Sequence, residues 1–447
     1  MIIKLIQPKM QMRPMDTRLK TRMAPSLGLL TIAQLLYREH TVILENENIE
    51  EIDYEAPVDL VGITVTVDVM NQAIAIAQRF QQRRIPVVAG GIHITAFPEQ
   101  AQQYFDVVCI GIAEKTWPQI VRDFQQGTLQ KIYYCQDPVY PQDLVGPAYH
   151  LIDKRKYLYS NIVSTSRGCP FRCDFCYNSC SAYRHVYVNR EIAAVLEDIR
   201  QIGKKHIMFI DDNFIGNPAW TLEFVRALKP LGLKWNAAVS ANIGEMPELL
   251  DEMKASGCQS LFIGFESIND ASVSDVRKVQ NHVEQFDALV DALHRRGIMI
   301  NASFVFGLDG DDVTTFARTL DWIVEHRIET VTSHILTPYP GTKVYEDFVQ
   351  QNRITTFDYA QYNTAHVVFQ PKNMTAQQLY DGYIQIYKDI YSFKNIFRRM
   401  PEAPEQRVPY LLFNLLYRKF GKLTDRLCQM VSYEKIGWLA EKLSYKL

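Results

Sequence analysis

Three cysteines, Cys169, Cys173 and Cys176, stand in the stretch Ser166-Arg-Gly-Cys-Pro-Phe-Arg-Cys-Asp-Phe-Cys-Tyr177. Three thiolates on one short loop can hold three corners of a 4Fe–4S cube. The fourth iron is then left without a protein ligand and is free to bind a small molecule. Plainer chemistry can be set beside this. A structural zinc site joins two separated Cys/His pairs around a tetrahedron, and Cys169, Cys173, Cys176 and Cys180 all fall within 12 residues, an awkward wrap for zinc. Cysteines kept only for packing would not crowd in this way. Cys180 is either a loop thiol or a substrate-facing proton or hydrogen donor.

The elements that must position this loop follow from the apolar pattern. Strands are predicted at 162–165, 207–210, 235–239, 261–264, 302–306 and 330–336, with helices between them at 190–202, 220–228, 248–256, 283–296 and 313–326. Six parallel strands with crossover helices put their chemistry at the strand carboxyl ends. Polar residues and glycines gather there: Asp211, Asp212 and Asn213; Ser240 and Asn242; Gly264 and Glu266; Gly307; Pro340. Taken singly, an Asp-Asp pair after a strand is commonly a helix N-cap, and Gly-x-Glu-Ser a turn. Their recurrence at successive strand ends makes the set consistent.

Residues 1–145 show a separate strand and helix alternation, that of a doubly wound parallel sheet, with a Pro- and Tyr-containing connector from about 127 to 160. Strands are predicted at 2–7, 42–44, 60–66, 87–89 and 107–110. Helices are predicted at 27–40, at 68–84 with Asp68 as N-cap, and at 114–126. Ligands of such sheets sit beyond the strand carboxyl ends, where the candidates are Gly62, Thr64, Thr66, Gly90, Gly91, His93, Gly111 and Glu114. Glycines suit a flat ligand lying against bare backbone. A docking module without a cofactor would carry the same glycines.

Composition narrows the classes. A formal net charge of −2 argues against general nucleic-acid binding, which needs a large positive field. No run of 18 apolar residues predicts a spanning helix, and the opening Met-Ile-Ile-Lys-Leu-Ile reads as a strand rather than a signal peptide. Eight cysteines in 447 residues are no disulfide scaffold, so a cytoplasmic protein is expected. Residues 349–447 read as helices, including 374–390 with Thr375 as a cap. From 391 onward there are 11 Lys or Arg against 5 Asp or Glu. Leu412, Leu416, Phe420, Leu423 and Leu427 follow helical spacing there, with Arg418, Lys422 and Arg426 on another face. Such a helix packs its apolar stripe on the barrel, rests on an anionic membrane, or forms a substrate lid.

The C-x3-C-x2-C spacing, with Phe175 before the last cysteine, resembles the cluster loop of radical S-adenosylmethionine (SAM) enzymes. The strand-end residues resemble that superfamily's partial (β/α)6 barrel. The resemblance implies that Asp211 and its neighbours Asp212 and Asn213 meet the SAM ammonium, and that Ser240, Asn242 and Glu266 face its carboxylate and ribose. It further implies that Gly307 lets adenine approach, Pro340 closes the sixth strand end, and Phe175 packs near adenine. Pro25-Ser-Leu-Gly-Leu-Leu30 and Gly90-Gly91-Ile-His-Ile-Thr-Ala-Phe-Pro-Glu99 are similar to the cobalamin-binding domain fused to one large class of these enzymes, while Gly111-Ile-Ala-Glu-Lys-Thr116 departs somewhat from it. The D-x-H-x-x-G motif that ligates cobalt elsewhere is absent, and Asp291-Ala-Leu-His294-Arg-Arg-Gly297 has one residue too many.

A 4Fe–4S cluster, SAM and cobalamin are the implied cofactors. The implied reaction moves methyl from methylcobalamin to an unactivated carbon or phosphorus, after the 5′-deoxyadenosyl radical takes a hydrogen atom. Tyr177, Cys180 and Asp212 are the substrate-side candidates. A small-molecule substrate, with lipids and pigments both open, and an electron donor such as flavodoxin or ferredoxin complete the set. Two rivals stand: a cobalamin enzyme that cyclises, rearranges or oxidises without methylating, and a non-catalytic iron–sulfur or docking protein. A methylthiotransferase would need a second cysteine trio in the first domain, which holds only Cys109 and Cys135.

Overall fold

A computed structural model describes residues 1–135, 137–180, 187–418 and 422–445. The first sheet holds β1 (Ile2–Gln7), β2 (Thr41–Asn46), β3 (Leu60–Thr64), β4 (Val87–Gly90), β5 (Val107–Ile110) and β6 (Ile132–Tyr134), all parallel, in the order β2-β1-β3-β4-β5-β6. The order turns back between β1 and β3, the switch point where doubly wound sheets bind ligands. Helices cover both faces, which is why β3 and β5 read as nearly unbroken apolar runs. Phe80 and Ile76 fill one side, and Leu29, Ala33 and Trp117 the other.

Three expectations change here. Residues 132–134, placed in the connector, form a sixth strand that pairs with β5. Gly62 does not face a ligand. A Cβ there would stand 2.7 Å from the Trp117 ring and 2.8 Å from Leu5 Cδ2, so the glycine makes room for the indole. Asp68 does not cap the helix, which begins at Met70 after a short 3-10 turn; instead it accepts a hydrogen bond from the Thr66 hydroxyl at 2.7 Å.

The second sheet begins with β7 (Ile162–Val163). An antiparallel pair follows, β8 (Ser166–Gly168) with β9 (Tyr187–Asn189). The sheet then continues through β10 (His206–Phe209), β11 (Lys234–Val239), β12 (Cys258–Glu266), β13 (Met299–Phe306) and β14 (Thr330–Ile335). Its order is β14-β13-β12-β11-β10-β7, parallel throughout, so each crossover helix returns the chain to the next position. The two edge strands do not pair, which makes this a partial barrel. Val331 and Ile335 of β14 join the core under the helices, while Thr330, Thr332 and His334 alternate onto the opposite, half-buried face.

The carboxyl ends of the two sheets face each other. Arg167, leading into the cysteine loop, reaches Glu114 at 3.0 Å. His93 meets Tyr177 at 3.1 Å. Asn71 donates to Asp358 at 3.3 Å. Gly341, after β14, has φ +86, and a Cβ there would stand 2.4 Å from the Ala96 carbonyl oxygen.

The helices that follow Tyr391 lie at the other end of the barrel, so they do not cover the cysteine loop. The helix Ala376–Ile390 runs along the barrel from the Gly307 turn to Val331. Asn161, just before β7, donates to Glu441 at 2.8 Å. Arg399 donates to the carbonyls of Ile328 and Glu329, just ahead of β14. Thr375 caps the helix Ala376–Ile390 in a reciprocal pair with Gln378, as its sequence predicts. The single basic helix expected across 412–427 is two helices, Pro404–Tyr417 and Lys422–Met430. Phe420 lies outside the described residues.

Two outcomes follow. Gly341→Ala is expected to weaken the seam between the sheets by about 1–3 kcal/mol, from overpacking and a left-handed backbone. A thermal midpoint equal to the parent's would contradict that. Asp311 accepts from the Gly307 and Leu308 backbone N–H groups (3.0 and 3.1 Å) and from Ser272 Oγ (2.9 Å), yet burial pushes its carboxyl up to about 6. The folded chain therefore keeps a proton that the unfolded chain has released between about pH 4 and pH 6. Stability falls as pH rises through that window, on the order of 1–3 kcal/mol, and is level above it. Asp311→Asn is expected to remove this part of the slope in denaturant midpoints measured across pH, and an unchanged slope would reject the assignment.

Candidate active site

The cysteine loop springs from β8 through Gly168, whose φ of +78 suits glycine. Its backbone is tied on both sides: Asp174 donates its N–H to Val276 O at 3.0 Å and accepts from the Val344 N–H at 3.1 Å. Inside the loop, Cys176 N donates to Cys173 O (3.1 Å) and Ser179 N to Cys176 O (3.0 Å). The loop thus crosses the strand carboxyl ends with its thiols turned inward.

Burial pushes the Cys169 thiol up to about 11 and the Cys176 thiol up to about 12, and raises Cys173 as well. The three also oppose one another's ionisation, which places them around one shared volume. Thiols so placed ionise only beside a cation, which is what cluster iron supplies. Backbone N–H groups of Phe171 and Asn178 reach the sulfurs of Cys169 and Cys176. Among the described residues, no three His, Cys, Asp or Glu side chains converge closely enough for a single metal ion. A cube takes one thiolate per corner and spreads its ligands wider, so the donor set fits the cluster.

Around the thiols, the sequence-predicted residues divide. Asp211 is buried and accepts from Thr165 N (2.8 Å), Ser166 N (2.6 Å) and Ser166 Oγ (2.7 Å), all on one oxygen. It braces the strand entering the loop rather than meeting a cosubstrate through that oxygen; its other oxygen is buried without a partner. Asp212 is exposed at this strand end, near enough to Cys169 and Cys176 to oppose their ionisation; Asn178 is hydrogen-bonded to it, and desolvation raises its carboxyl. Asn213, Ser240 and Asn242 form one chain: Asn213 Nδ2 donates to Ser240 Oγ (3.1 Å), and Ser240 Oγ to Asn242 Oδ1 (2.5 Å). Phe175 is half-buried against the barrel core.

Glu266 has a left-handed φ of +63, and Lys278 binds its Oε1, so one of the two oxygens expected to accept from ribose is engaged within the chain. A Cβ on Gly264 would stand 2.5 Å from Glu266 Oε1 and 2.6 Å from Lys278 Nζ; the glycine is the space this ion pair occupies. Gly307, with φ +95, was expected to admit adenine, but a Cβ there would meet Leu379 at 2.7 Å and Phe369 at 3.1 Å. Its bare face packs under the helix Ala376–Ile390. Pro340 is buried in the turn that docks on the first domain. Lys278, Gln280, Asn281 and Arg167 were missed in the sequence, because they belong to no motif and act through partners distant in the chain.

Across the seam, Gly90 is half-buried and a Cβ on it would make only ordinary contact, 3.6 Å from Cys109 Cβ; for Gly111 the nearest atom is Cys135 Cβ at 3.4 Å. Gly91 is exposed, and a Cβ there would lie 2.8 Å from Val65 O. With half-buried Thr64 and exposed Thr66, these residues leave a shelf poor in side chains, which fits a flat macrocycle. His93 and Glu114 are not on its open surface. Both are buried and engaged with the cysteine loop. Burial pushes His93 down to about 4, so it is a neutral hydrogen-bonding partner of the Tyr177 hydroxyl. Tyr177 in turn stacks on Tyr339 (ring centroids 4.4 Å apart, 18° between planes). Cys180 is buried beside Tyr177. His294 lies far from the first sheet, on the helix Phe286–Arg295, bonded to Glu329 at 3.4 Å.

Comparison with known proteins agrees with this geometry. The family description "Radical SAM superfamily" matches residues 163–323, and "B12 binding domain" matches residues 22–121. Bacteriochlorophyllide d C-12(1)-methyltransferase of Chlorobaculum tepidum is 30% identical over 437 residues, covering 95% of this chain and 94% of that protein. Bacteriochlorophyllide d C-8(2)-methyltransferase of the same organism is 25% identical over 90% of this chain and 93% of its own. Among solved structures, the radical SAM methyltransferase TsrM from Kitasatospora setae, with cobalamin and a [4Fe-4S] cluster bound, has a TM-score of 0.68 at 16% identity, covering 99% of each chain. Cysteine loop, partial barrel, bare shelf and relatives agree: the chain belongs to the radical SAM superfamily, in its class of cobalamin-dependent methyltransferases.

Proposed function

We propose that the protein methylates an unactivated carbon of a chlorophyll-type tetrapyrrole. The observation that carries this reading is the reach of the similarity. The two bacteriochlorophyllide methyltransferases match 95% and 90% of the chain, whereas the hopanoid C-2 methylase of Rhodopseudomonas palustris matches 75%. Bound here, a 4Fe–4S cluster with SAM supplies a hydrogen-abstracting radical, and cobalamin a methyl carrier.

The chain's own residues hold and orient these groups. We assign Cys169, Cys173 and Cys176 to three irons. Asp212, rather than Asp211, takes the SAM ammonium, since it is exposed and close enough to act on the Cys176 thiol, while one Asp211 oxygen is held by Thr165 and Ser166. Asn213, Ser240 and Asn242 offer a connected set of donors and acceptors for the carboxylate and ribose. Glu266 and Lys278 shape the fourth strand end, and Phe175 lines the adenine side. Thr64, Thr66, Gly90, Gly91 and Gly111 carry the corrin, while His93 and Glu114 fix its distance from the cluster by holding Tyr177 and Arg167. Tyr177 and Cys180 border the space between the two cofactors, and the domains divide at 1–145, 146–348 and 349–447. A flavodoxin- or ferredoxin-like protein is the proposed electron donor.

We place the enzyme in the cytoplasm with peripheral membrane contact. Among the described residues no helix is long and apolar enough to cross a membrane. Leu423 (53% exposed) and Met430 (82%) turn outward on a segment rich in Lys and Arg. Their removal from the core supports contact with an anionic bilayer over packing on the barrel.

Two measurements test these readings. The reconstituted enzyme, given SAM, reductant and a magnesium tetrapyrrole carboxylate, is expected to add one CH2 unit to the pigment. Replacing any one of the three cysteines by alanine should abolish both product and 5′-deoxyadenosine. Methylation of a hopanoid but not the pigment would overturn the substrate class. In flotation, the protein is expected to rise with phosphatidylglycerol vesicles and to lose this on Leu423→Glu with Met430→Glu; equal flotation of the variant would sink the membrane contact.

A further inference from the structure

The turn Val276–Asn281 lies beside the cysteine loop without belonging to it. We propose that Gln280 is a positioning residue that sets the reduction potential of the cluster by donating a hydrogen bond to the Cys173 thiolate. Its Nε2 stands 3.5 Å from Cys173 Sγ, within the reach of a bond to sulfur. The side chain is 8% exposed, and its Oε1 is buried with no partner. An iron-bound thiolate can only accept, so iron at Cys173 leaves the amide one useful orientation, nitrogen toward sulfur.

The turn is held so that this amide cannot withdraw. Lys278 Nζ donates to Gly264 O at 2.8 Å and pairs with Glu266. Asn281 Nδ2 donates to Gly264 O and Phe265 O, both at 2.9 Å. The Asp174 N–H closes the ring of contacts on Val276 O at 3.0 Å. The other two thiols receive backbone N–H groups, which no side-chain change short of proline deletes. Gln280 is a side-chain donor, so its contribution can be removed alone.

The physical effect has a definite sign. One-electron reduction places extra negative charge on cluster and ligand sulfurs, and a hydrogen bond to sulfur stabilises that charge, which raises the potential. The inference rests on Cys173 being an iron ligand.

The parent, Gln280→Met, Gln280→Glu and Cys173→Ala chains are reconstituted with iron and sulfide without SAM. Iron is counted, and each cluster is titrated with reductant under electron paramagnetic resonance. Both Gln280 variants are expected to hold parental iron and to titrate at more negative potential, Glu further than Met because it adds charge. A tenfold fall in the reduced-to-oxidised ratio at fixed solution potential reads as roughly 59 mV. A parental potential in Gln280→Met at full iron content overturns the proposal. Loss of iron in both Gln280 variants does so too, since Gln280 would then serve assembly. Full cluster in Cys173→Ala would instead overturn the ligand assignment, a separate failure.

Discussion

A carboxylate and an imidazole buried at the strand ends of the first sheet find their partners on the cysteine loop of the second. Glu114 is paired by Arg167, two residues before Cys169, and His93 by Tyr177, the residue after Cys176. An unpaired buried carboxylate costs several kcal/mol, so neither half of the molecule is fully satisfied alone. The two contacts bracket the trio of thiols and set the gap between shelf and loop. Chemistry in which one cofactor takes a hydrogen atom from a carbon and the other delivers methyl to it needs such a fixed distance, and here the cost of burying charge maintains it.

Much of this was legible from the chain. The thiols share one loop, so their spacing carries the information locally, and the parallel strands announce themselves as short apolar runs between helical periods. The strand-end glycines were harder. Gly90 and Gly111 leave room at the Cβ position, but Gly62, Gly91 and Gly307 look identical in sequence and are closed by Trp117, by the Val65 backbone and by Leu379 with Phe369. Whether a glycine admits a ligand or a neighbour depends on residues distant in the chain. The two aspartates after β10 show the same limit: of two adjacent carboxylates, Asp211 is buried against Thr165 and Ser166 while Asp212 is exposed. β6 escaped notice because only its central residue is buried.

The Lys278–Asn281 turn illustrates what no motif records. Its side chains bind carbonyls of β12 and a sulfur of the loop, and Gly264 is kept small to let the Lys278–Glu266 pair through. These groups act by holding others, so their identity is constrained by geometry that appears only once the barrel has curled.

The last helix has a consequence for how the molecule is made. Gly437 lies so close to the Leu158 carbonyl that a Cβ would overlap it, and Glu441 is the partner of buried Asn161 beside His206. Both contacts join the segment leading into the opening strand of the barrel to the helix Tyr433–Tyr445. During synthesis that segment emerges before residues 437–441 and must wait for them to complete these contacts. A nascent chain that stops short of residue 437 therefore carries a barrel with an unfinished floor.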